Sequence, residues 1–151
     1  MNLRNENGPY NIFAETETTI EFFDLDPMQV VWHGNYINYF EIARNALLDK
    51  IGYGYYEMER SGYAFPVIEI SVKYLSSLRH MDRIRIKAIL EEYENRLMFR
   101  FEIVNVKTGV LTTKGKTTQM AFDIKAGESC FVCPPALTEK VEKFIKEGNL
   151  N

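Results

Sequence analysis

The longest regular pattern of apolar positions lies between Gly34 and Lys50 and predicts an α-helix. Its polar positions, spaced three and four residues apart, form one narrow stripe that comprises Asn38, Glu41, Asn45 and Asp49. Almost every other position except Arg44 is apolar, so something larger than one neighbouring helix must enclose this segment. Gly52 and Gly54 follow and end the helix, because glycine is favoured just beyond a helix C-terminus.

Alternating apolar and polar positions predict five β-strands. The first begins at Thr16 and ends near Asp24, and residues 1–15 before it are expected to be a loosely held N-terminal tail. The next three strands place on one face Ile68, Ile70, Val72 and Tyr74, then Ile84, Ile86, Ala88 and Leu90, and then Leu97, Phe99, Phe101 and Ile103. The fifth, from Leu111 to Ile124, is rich in threonine, and its inward face is hard to assign.

The order of the elements predicts the fold class. One strand precedes the long helix, four strands joined mainly by hairpins follow it, and a short helix from Leu137 to Lys146 closes the chain. Helix and sheet are therefore segregated, which is typical of an α+β protein and not of a doubly wound parallel sheet. We expect a hotdog fold, in which an antiparallel sheet of about five strands wraps around one long buried helix. Residues 16–151 form a single domain.

Composition limits the partners. The 151 residues include 18 Lys and Arg against 21 Asp and Glu, with no basic stripe, so nucleic acid is not an expected partner. No run approaches the ~18 apolar residues that cross a bilayer, and the N-terminus has no signal-peptide core, so we expect no membrane insertion and a cytoplasmic location. Cys130 and Cys133 have C-x-x-C spacing but no second pair, so we interpret the spacing as coincidental and expect no metal site.

A short acidic and aromatic segment joins the first strand to the helix. Its sequence from Asp24 to Tyr36 is DLDPMQVVWHGNY. It resembles the D-x-D-P-x-G-I-V-(aromatic)-x-x-N-Y signature of hotdog thioesterases of the 4-hydroxybenzoyl-CoA and acyl-CoA thioesterase family. The matching positions are Asp24, Asp26, Pro27, Val30, Val31, Trp32, Asn35 and Tyr36. Gln29 departs from this pattern because the family usually has glycine there, which affects the freedom of the loop backbone.

The residues of this segment also suit acyl transfer without reference to a family. Asp26 precedes proline, which favours an extended backbone and fixes the direction of the carboxylate. The helix begins near Gly34, where unpaired N–H groups and the positive end of the helix dipole can stabilise a developing oxyanion. The segment thus brings together a carboxylate and an oxyanion site.

The resemblance implies specific roles. Asp26 is the nucleophile or general base, and His33 is the second catalytic residue, able to donate to the carbonyl or to the departing sulfur. The oxyanion donors are the backbone N–H groups of His33 and Gly34, together with Ala64, which approaches from the partner subunit in relatives. The residues expected to line the acyl pocket are Trp32, Asn35 and Tyr36.

Five charged residues remain without an assigned role. Glu41 resembles in position the helix carboxylate of another branch of hotdog thioesterases, although its place on the polar stripe favours solvent or a neighbouring subunit. The cations considered for contact with CoA phosphates are Lys73, Arg79, Arg83 and Arg85, and none is assigned.

The sequence therefore predicts an acyl-CoA thioesterase that releases free acid and CoA, with no cofactor other than the CoA of its substrate. The acyl group stays open, and acyl carrier protein can replace CoA. Two alternatives are a hotdog protein that binds acyl thioesters without cleaving them and, ranked last, a hotdog dehydratase. An exposed sheet edge and an incompletely covered helix predict a homo-oligomer, either a dimer or a homotetramer.

Overall fold

A five-stranded antiparallel sheet dominates the computed structural model, which describes residues 6–148. The helices are α1 (Tyr36–Lys50), α2 (Tyr55–Ser61) and α3 (Pro135–Gly148). The strands are β1 (Phe13–Thr19), β2 (Tyr63–Ala64), β3 (Val67–Tyr74), β4 (Arg83–Glu92), β5 (Leu97–Asn105), β6 (Leu111–Gln119), β7 (Phe122–Asp123) and β8 (Glu128–Ser129). The large sheet has the order β1-β4-β5-β6-β3, and β2, β7 and β8 form a small second sheet. The predicted α+β architecture is confirmed.

The core lies between α1 and the concave face of the large sheet. The ring of Phe40 on α1 stacks on Phe101 of β5 with centroids 4.6 Å apart. Gly115 of β6 lies below the same ring, and a Cβ on Gly115 would lie 2.3 Å from Phe40 Cζ. The absence of a side chain at residue 115 therefore lets the helix approach the sheet closely.

The two central strands agree with the predicted alternation. All the inward positions of β4 and β5 are buried, and they comprise Ile84, Ile86, Ala88 and Leu90 on β4 and Leu97, Phe99, Phe101 and Ile103 on β5. Both strands have a hydrogen-bonded neighbour on each side, and α1 covers one face. Every second side chain is therefore buried along these strands. The β4–β5 hairpin forms as predicted.

The predicted strand β3 is present, but its apolar residues are largely exposed in the single chain. Ile68, Ile70 and Tyr74 are exposed, and only Val72 is half-buried. The reason is the position of β3 at the edge of the large sheet, where only β6 pairs with it. Its apolar residues and its free edge are thus available to a further surface.

The N-terminal prediction is also corrected. The strand starts at Phe13 and not at Thr16, and Ile12 and Ala14 are buried, so the expected tail of residues 1–15 extends too far. The predicted alternation of inward and outward side chains continues back to the start of the strand. Because the strand is short, its first residues were not evident from the sequence pattern. The strand ends at Thr19, and a 3-10 turn at Phe22–Asp24 replaces its predicted last residues.

The C-terminal third differs mainly in its boundaries. The last long strand was predicted to reach Ile124 but ends at Gln119. The chain then continues into β7 and β8, which the sequence pattern did not indicate because each has only two residues. The closing helix α3 extends beyond the predicted Leu137–Lys146 at both ends. Across residues 6–148, no helix is long and apolar enough to cross a bilayer.

The packing of α1 on the sheet yields a stability prediction. Replacing Gly115 with alanine adds a methyl group where the Phe40 ring already lies, so we expect the free energy of unfolding to fall by about 1–3 kcal/mol in a denaturant titration. Gly148→Ala is the control, because nothing lies within 4 Å of its added Cβ. An equal effect of the two substitutions would contradict the close approach.

Candidate active site

A tight turn at Asp26–Gln29 begins the candidate site. The Gln29 amide donates to the Asp26 carbonyl at 2.9 Å, and the Asp26 amide donates to the Val30 carbonyl at 2.8 Å. The Met28 amide donates to Asp26 Oδ1 at 2.8 Å. Gln29 has φ 65°, the left-handed conformation that glycine adopts most easily. The turn therefore keeps a glycine-like backbone although the residue is glutamine.

The Asp24 carbonyl links the 3-10 turn that follows β1 to the residues just before α1. It accepts a hydrogen bond from the Trp32 amide at 2.9 Å and another from the Asn35 side-chain amide at 2.8 Å. The Asp24 carboxylate instead accepts from the Glu21 amide at 2.9 Å. Asp24 is thus a structural residue that closes the loop, whereas Asp26 Oδ2 has no hydrogen bond to a described residue.

Two backbone donors are free at the entrance to α1. The helix itself starts at Tyr36, and a 3-10 turn at His33–Asn35 precedes it, so the predicted start at Gly34 falls within this turn. No hydrogen bond links the N–H of His33 or of Gly34 to another residue in the described range. Free N–H groups at the positive end of a helix dipole form a site for developing negative charge.

Tyr74 fixes one of these donors from another part of the chain. Its hydroxyl donates to the His33 carbonyl at 2.7 Å. That carbonyl and the Gly34 N–H belong to the same planar peptide group and point in opposite directions. Tyr74 therefore orients the Gly34 N–H away from β3. This role could not be predicted from the sequence, because Tyr74 lies 41 residues from His33 and shows only the pattern of a strand position.

Two buried tyrosines surround the start of the helix. Burial, the neighbouring Tyr74 and then the Asp26 carboxylate raise the pKa of Tyr36 to about 12. Burial also raises the pKa of Tyr39 above its usual value, and the charge of Asp24 adds to this effect. The charge of the Asp26 carboxylate is the smallest of these three causes of the raised pKa of Tyr36. Both phenols remain protonated at neutral pH.

A small groove of about 200 Å³ opens beside this helix start. His33, Tyr36 and Tyr74 line it, together with residues that precede the helix and follow β3. The imidazole of His33 is exposed and contacts the Trp32 indole, with centroids 5.2 Å apart. The indole also lies across Gly34, because a Cβ there would lie 2.4 Å from Trp32 Cη2.

The other predicted site residues are placed differently. The Asn35 side-chain amide is already committed to the Asp24 carbonyl, so it holds the loop. Ala64 pairs with Phe122 in the small sheet, and no described contact joins it to His33 or Gly34 within one chain. Ala64 is thus separate, in one chain, from the loop and helix start that carry Asp26, His33, Gly34 and Tyr36.

The cysteines and acidic residues show no second reactive centre. Burial raises the pKa of the Cys133 thiol to about 11, which keeps it protonated and unreactive at neutral pH. Both cysteines are free thiols. In the described part of the chain, no cluster of three or more His, Cys, Asp or Glu residues is arranged to hold a metal ion.

Comparison with known proteins links this geometry to one family. Residues 20–144 match the thioesterase-like superfamily. YneP of Bacillus subtilis, which carries the provisional name acyl-CoA thioesterase, is 26% identical over 111 residues, covering 73% of this chain and 80% of YneP. The chloroplastic acyl-acyl carrier protein thioesterase ATL3 of Arabidopsis thaliana is 37% identical over 76 residues, covering 50% of this chain and 40% of ATL3.

A solved structure agrees with these sequence matches. The DHNA-CoA thioesterase of Staphylococcus aureus superposes with a TM-score of 0.77 and 29% identity, covering 91% of this chain and 93% of that protein. A CoA complex of the S. aureus protein SAV2348 has a TM-score of 0.78 at 18% identity, covering 89% of this chain and 84% of that protein, and shows the shared fold.

The hydrogen bond from Tyr74 to the loop is testable without substrate. Tyr74→Phe removes this bond and loosens the peptide that carries the Gly34 N–H, so we expect a loss of about 0.5–1.5 kcal/mol in unfolding free energy. The emission of Trp32, the only tryptophan, should shift at the same time. Tyr56→Phe is the matched control, since the Tyr56 hydroxyl is exposed and makes no hydrogen bond to a described residue. Unchanged Trp32 emission in Tyr74→Phe would refute the coupling.

Proposed function

The chain belongs to the thioesterase-like superfamily, and on this premise we propose that it hydrolyses an acyl-CoA thioester to a free acid and CoA. The observation that carries the proposal is that one short segment supplies a carboxylate oxygen and two backbone donors that are all unpaired within the described chain. Asp26 holds its turn with Oδ1 and leaves Oδ2 without a hydrogen bond to a described residue, and the N–H groups of His33 and Gly34 have no acceptor among residues 6–148.

These groups suit the chemistry of a thioester. Its carbonyl carbon is electrophilic, and thiolate is a good leaving group, so the reaction needs mainly a base or nucleophile and a site for the oxyanion. In our proposal, the carbonyl oxygen accepts from the His33 and Gly34 amides, and Tyr74 keeps the Gly34 N–H oriented. His33 is exposed beside this point and donates a proton to the departing sulfur.

Asp26 has two chemically complete routes. As a nucleophile, it forms a bond to the carbonyl carbon, the C–S bond breaks, and water then opens the mixed anhydride to acid and regenerated Asp26. As a general base, Asp26 removes a proton from water while the water oxygen attacks the carbonyl carbon. The C–S bond then breaks, the sulfur takes a proton from His33, and the proton held by Asp26 restores His33. A single turnover in heavy-oxygen water distinguishes the two: label in the Asp26 carboxylate supports nucleophilic attack. Label in the product alone favours activated water, unless water opens the anhydride at its acyl carbon.

The site requires a second copy of the chain in this proposal. The free edge of β3 carries exposed Ile68 and Ile70, and Tyr74 lies at its C-terminal end. Antiparallel two-fold pairing of β3 with the same strand of another copy brings the Tyr74 end beside the end that follows Ala64. Ala64 of the partner subunit then approaches the thioester, although one chain alone leaves it separate from His33.

Acyl carrier protein is the second candidate carrier. The similarity to ATL3, named an acyl-acyl carrier protein thioesterase, supports it. The reacting groups are the same for both carriers, because each presents its acyl group as a thioester. Comparing release of thiol from one acyl group on CoA and on acyl carrier protein tests this choice.

The role of Asp26 predicts the effect of a conservative substitution. Asp26→Asn keeps an oxygen that can accept from the Met28 amide, so the turn should persist, but it removes the base or nucleophile. We expect kcat for acyl-CoA hydrolysis to fall by about 10²–10⁴, measured by trapping free thiol with a chromogenic disulfide.

Asp24→Asn serves as the matched control for this experiment. Its amide oxygen can still accept from the Glu21 amide, and its carbonyl contacts are unchanged, so activity should stay near that of the wild type. If wild type and Asp26→Asn are equally inactive but both bind acyl-CoA, the protein is a non-catalytic thioester-binding module.

The assembly is tested separately by mass. Sedimentation equilibrium of the wild type should give the mass of two or more chains, because β3 pairing buries its apolar edge. Ile70→Lys places a charge on this edge and should shift the equilibrium toward one chain, whereas Val132→Lys, at an exposed apolar residue in the loop before α3, should not. A wild-type mass of one chain at assay concentration would refute the shared site.

A further inference from the structure

The backbone conformation of Gly34 does not require glycine. Its φ lies outside the left-handed region that the backbone adopts at Gly52 and Gly62, so a residue with a side chain could take the same conformation. The space around Gly34 is instead occupied. A Cβ on Gly34 would lie 2.4 Å from both Cζ3 and Cη2 of Trp32 and 2.9 Å from its Cε3. The outer edge of the indole therefore takes the place of a side chain at residue 34.

The loop backbone fixes the start of the Trp32 side chain. The Trp32 amide donates to the Asp24 carbonyl at 2.9 Å, and the Trp32 carbonyl accepts from the Asn35 amide at 2.9 Å. Trp32 itself is extended, with φ −60° and ψ 134°, directly before the 3-10 turn. The His33 imidazole also contacts the indole, with ring centroids 5.2 Å apart. The contact of the indole with Gly34 is thus held by the same loop that carries the two free donors.

The indole is separate from the small groove beside the helix start. His33, Tyr36 and Tyr74 line that groove of about 200 Å³, and Trp32 is not among its lining residues. The peptide group between His33 and Gly34 is therefore bounded by the groove at His33 and by the indole at Gly34. A ligand in the groove leaves the Gly34 end of this peptide to be covered by Trp32.

Water competes with a thioester for the two backbone donors. The N–H groups of His33 and Gly34 have no acceptor among residues 6–148, so water solvates them when the groove holds no substrate. Hydrogen bonds to a developing negative charge are much stronger where water is excluded, because the local dielectric constant is lower. Covering the Gly34 end of the peptide therefore strengthens the interaction with the transition state.

We infer that Trp32 is a positioning residue that acts through the peptide between His33 and Gly34. Its indole excludes water from the Gly34 end of this peptide while a thioester occupies the groove, and residue 34 is glycine so that the indole can reach it. This inference rests on the proposed function. It assigns Trp32 to the rate of the reaction, and not to the binding of the acyl group.

A double-mutant cycle tests the contact between the two residues. Gly34→Ala adds a methyl group where the indole lies and displaces the ring, so kcat for acyl-CoA hydrolysis should fall by about tenfold or more. In the Trp32→Leu background no ring meets this methyl group, and Gly34→Ala should change kcat by less than about twofold. Equal effects of Gly34→Ala in the two backgrounds would mean that the methyl group acts on the backbone directly, which would overturn the inference.

Trp32→Leu alone separates a water shield from a wall of the acyl pocket. Leucine keeps an apolar side chain at this half-exposed position but is too short to cover Gly34. We expect kcat to fall by about tenfold and KM to change by less than about threefold, because the donors act on charge that develops in the transition state. A raised KM with unchanged kcat would contradict the inference. Phe131→Leu, at an exposed aromatic residue in the loop before α3, is the matched control and should change neither constant.

Amide hydrogen exchange tests the shield without catalysis. The probe is a ketone analogue of an acyl-CoA, in which a methylene group replaces the thioester sulfur, so the carbonyl remains but cannot be hydrolysed. Measured by NMR on ¹⁵N-labelled protein, the analogue should slow exchange of the Gly34 N–H by about tenfold or more in the wild type and by less than about threefold in Trp32→Leu.

The outcomes separate this inference from the proposed function. No slowing in the wild type, or equal slowing in both proteins, would overturn the role of Trp32 while measured release of CoA would leave the hydrolysis intact. A wild type that binds the analogue but releases CoA from no acyl-CoA would overturn the proposed hydrolysis, and the part of this inference that assigns Trp32 to its rate.

Discussion

The contact of Phe40 with Phe101 above Gly115 determines where the central helix lies. Because no side chain separates the Phe40 ring from β6, the helix is held close to the sheet, and its N-terminal end is fixed in position. The two free amides of the candidate site lie at that end. Backbone donors are effective only when they are held in place before the reaction. The packing of the core therefore also determines how well the loop can hold a ligand.

The central strands and the long helix were predictable because their environment is contained in one chain. Ile86 and Phe101, for example, lie on strands with neighbours on both sides, and their alternation reports burial directly. Ile70 follows the same alternation but is exposed, because its strand is at an edge. A sequence pattern records which side a residue prefers, and it does not record whether the covering surface belongs to the same chain.

The candidate site was predictable to a more limited degree. The segment from Asp24 to Tyr36 is contiguous, so its motif singles out Asp26 as a candidate and predicts the start of the helix to within two residues. Tyr74 gave no such signal, because it reaches the loop only through the packing of β3. Tertiary contacts over long separations were therefore the missing information.

Gln29 shows how far the loop backbone is independent of the residue it contains. A left-handed conformation costs a residue with a side chain about 1–2 kcal/mol, yet the hydrogen bonds around Asp26 keep the turn in this shape. Glycine is thus not essential for the geometry, and an exposed amide side chain is free to vary beside the candidate site. Substitution at this position can change the surface around the turn while the path of the backbone stays constant.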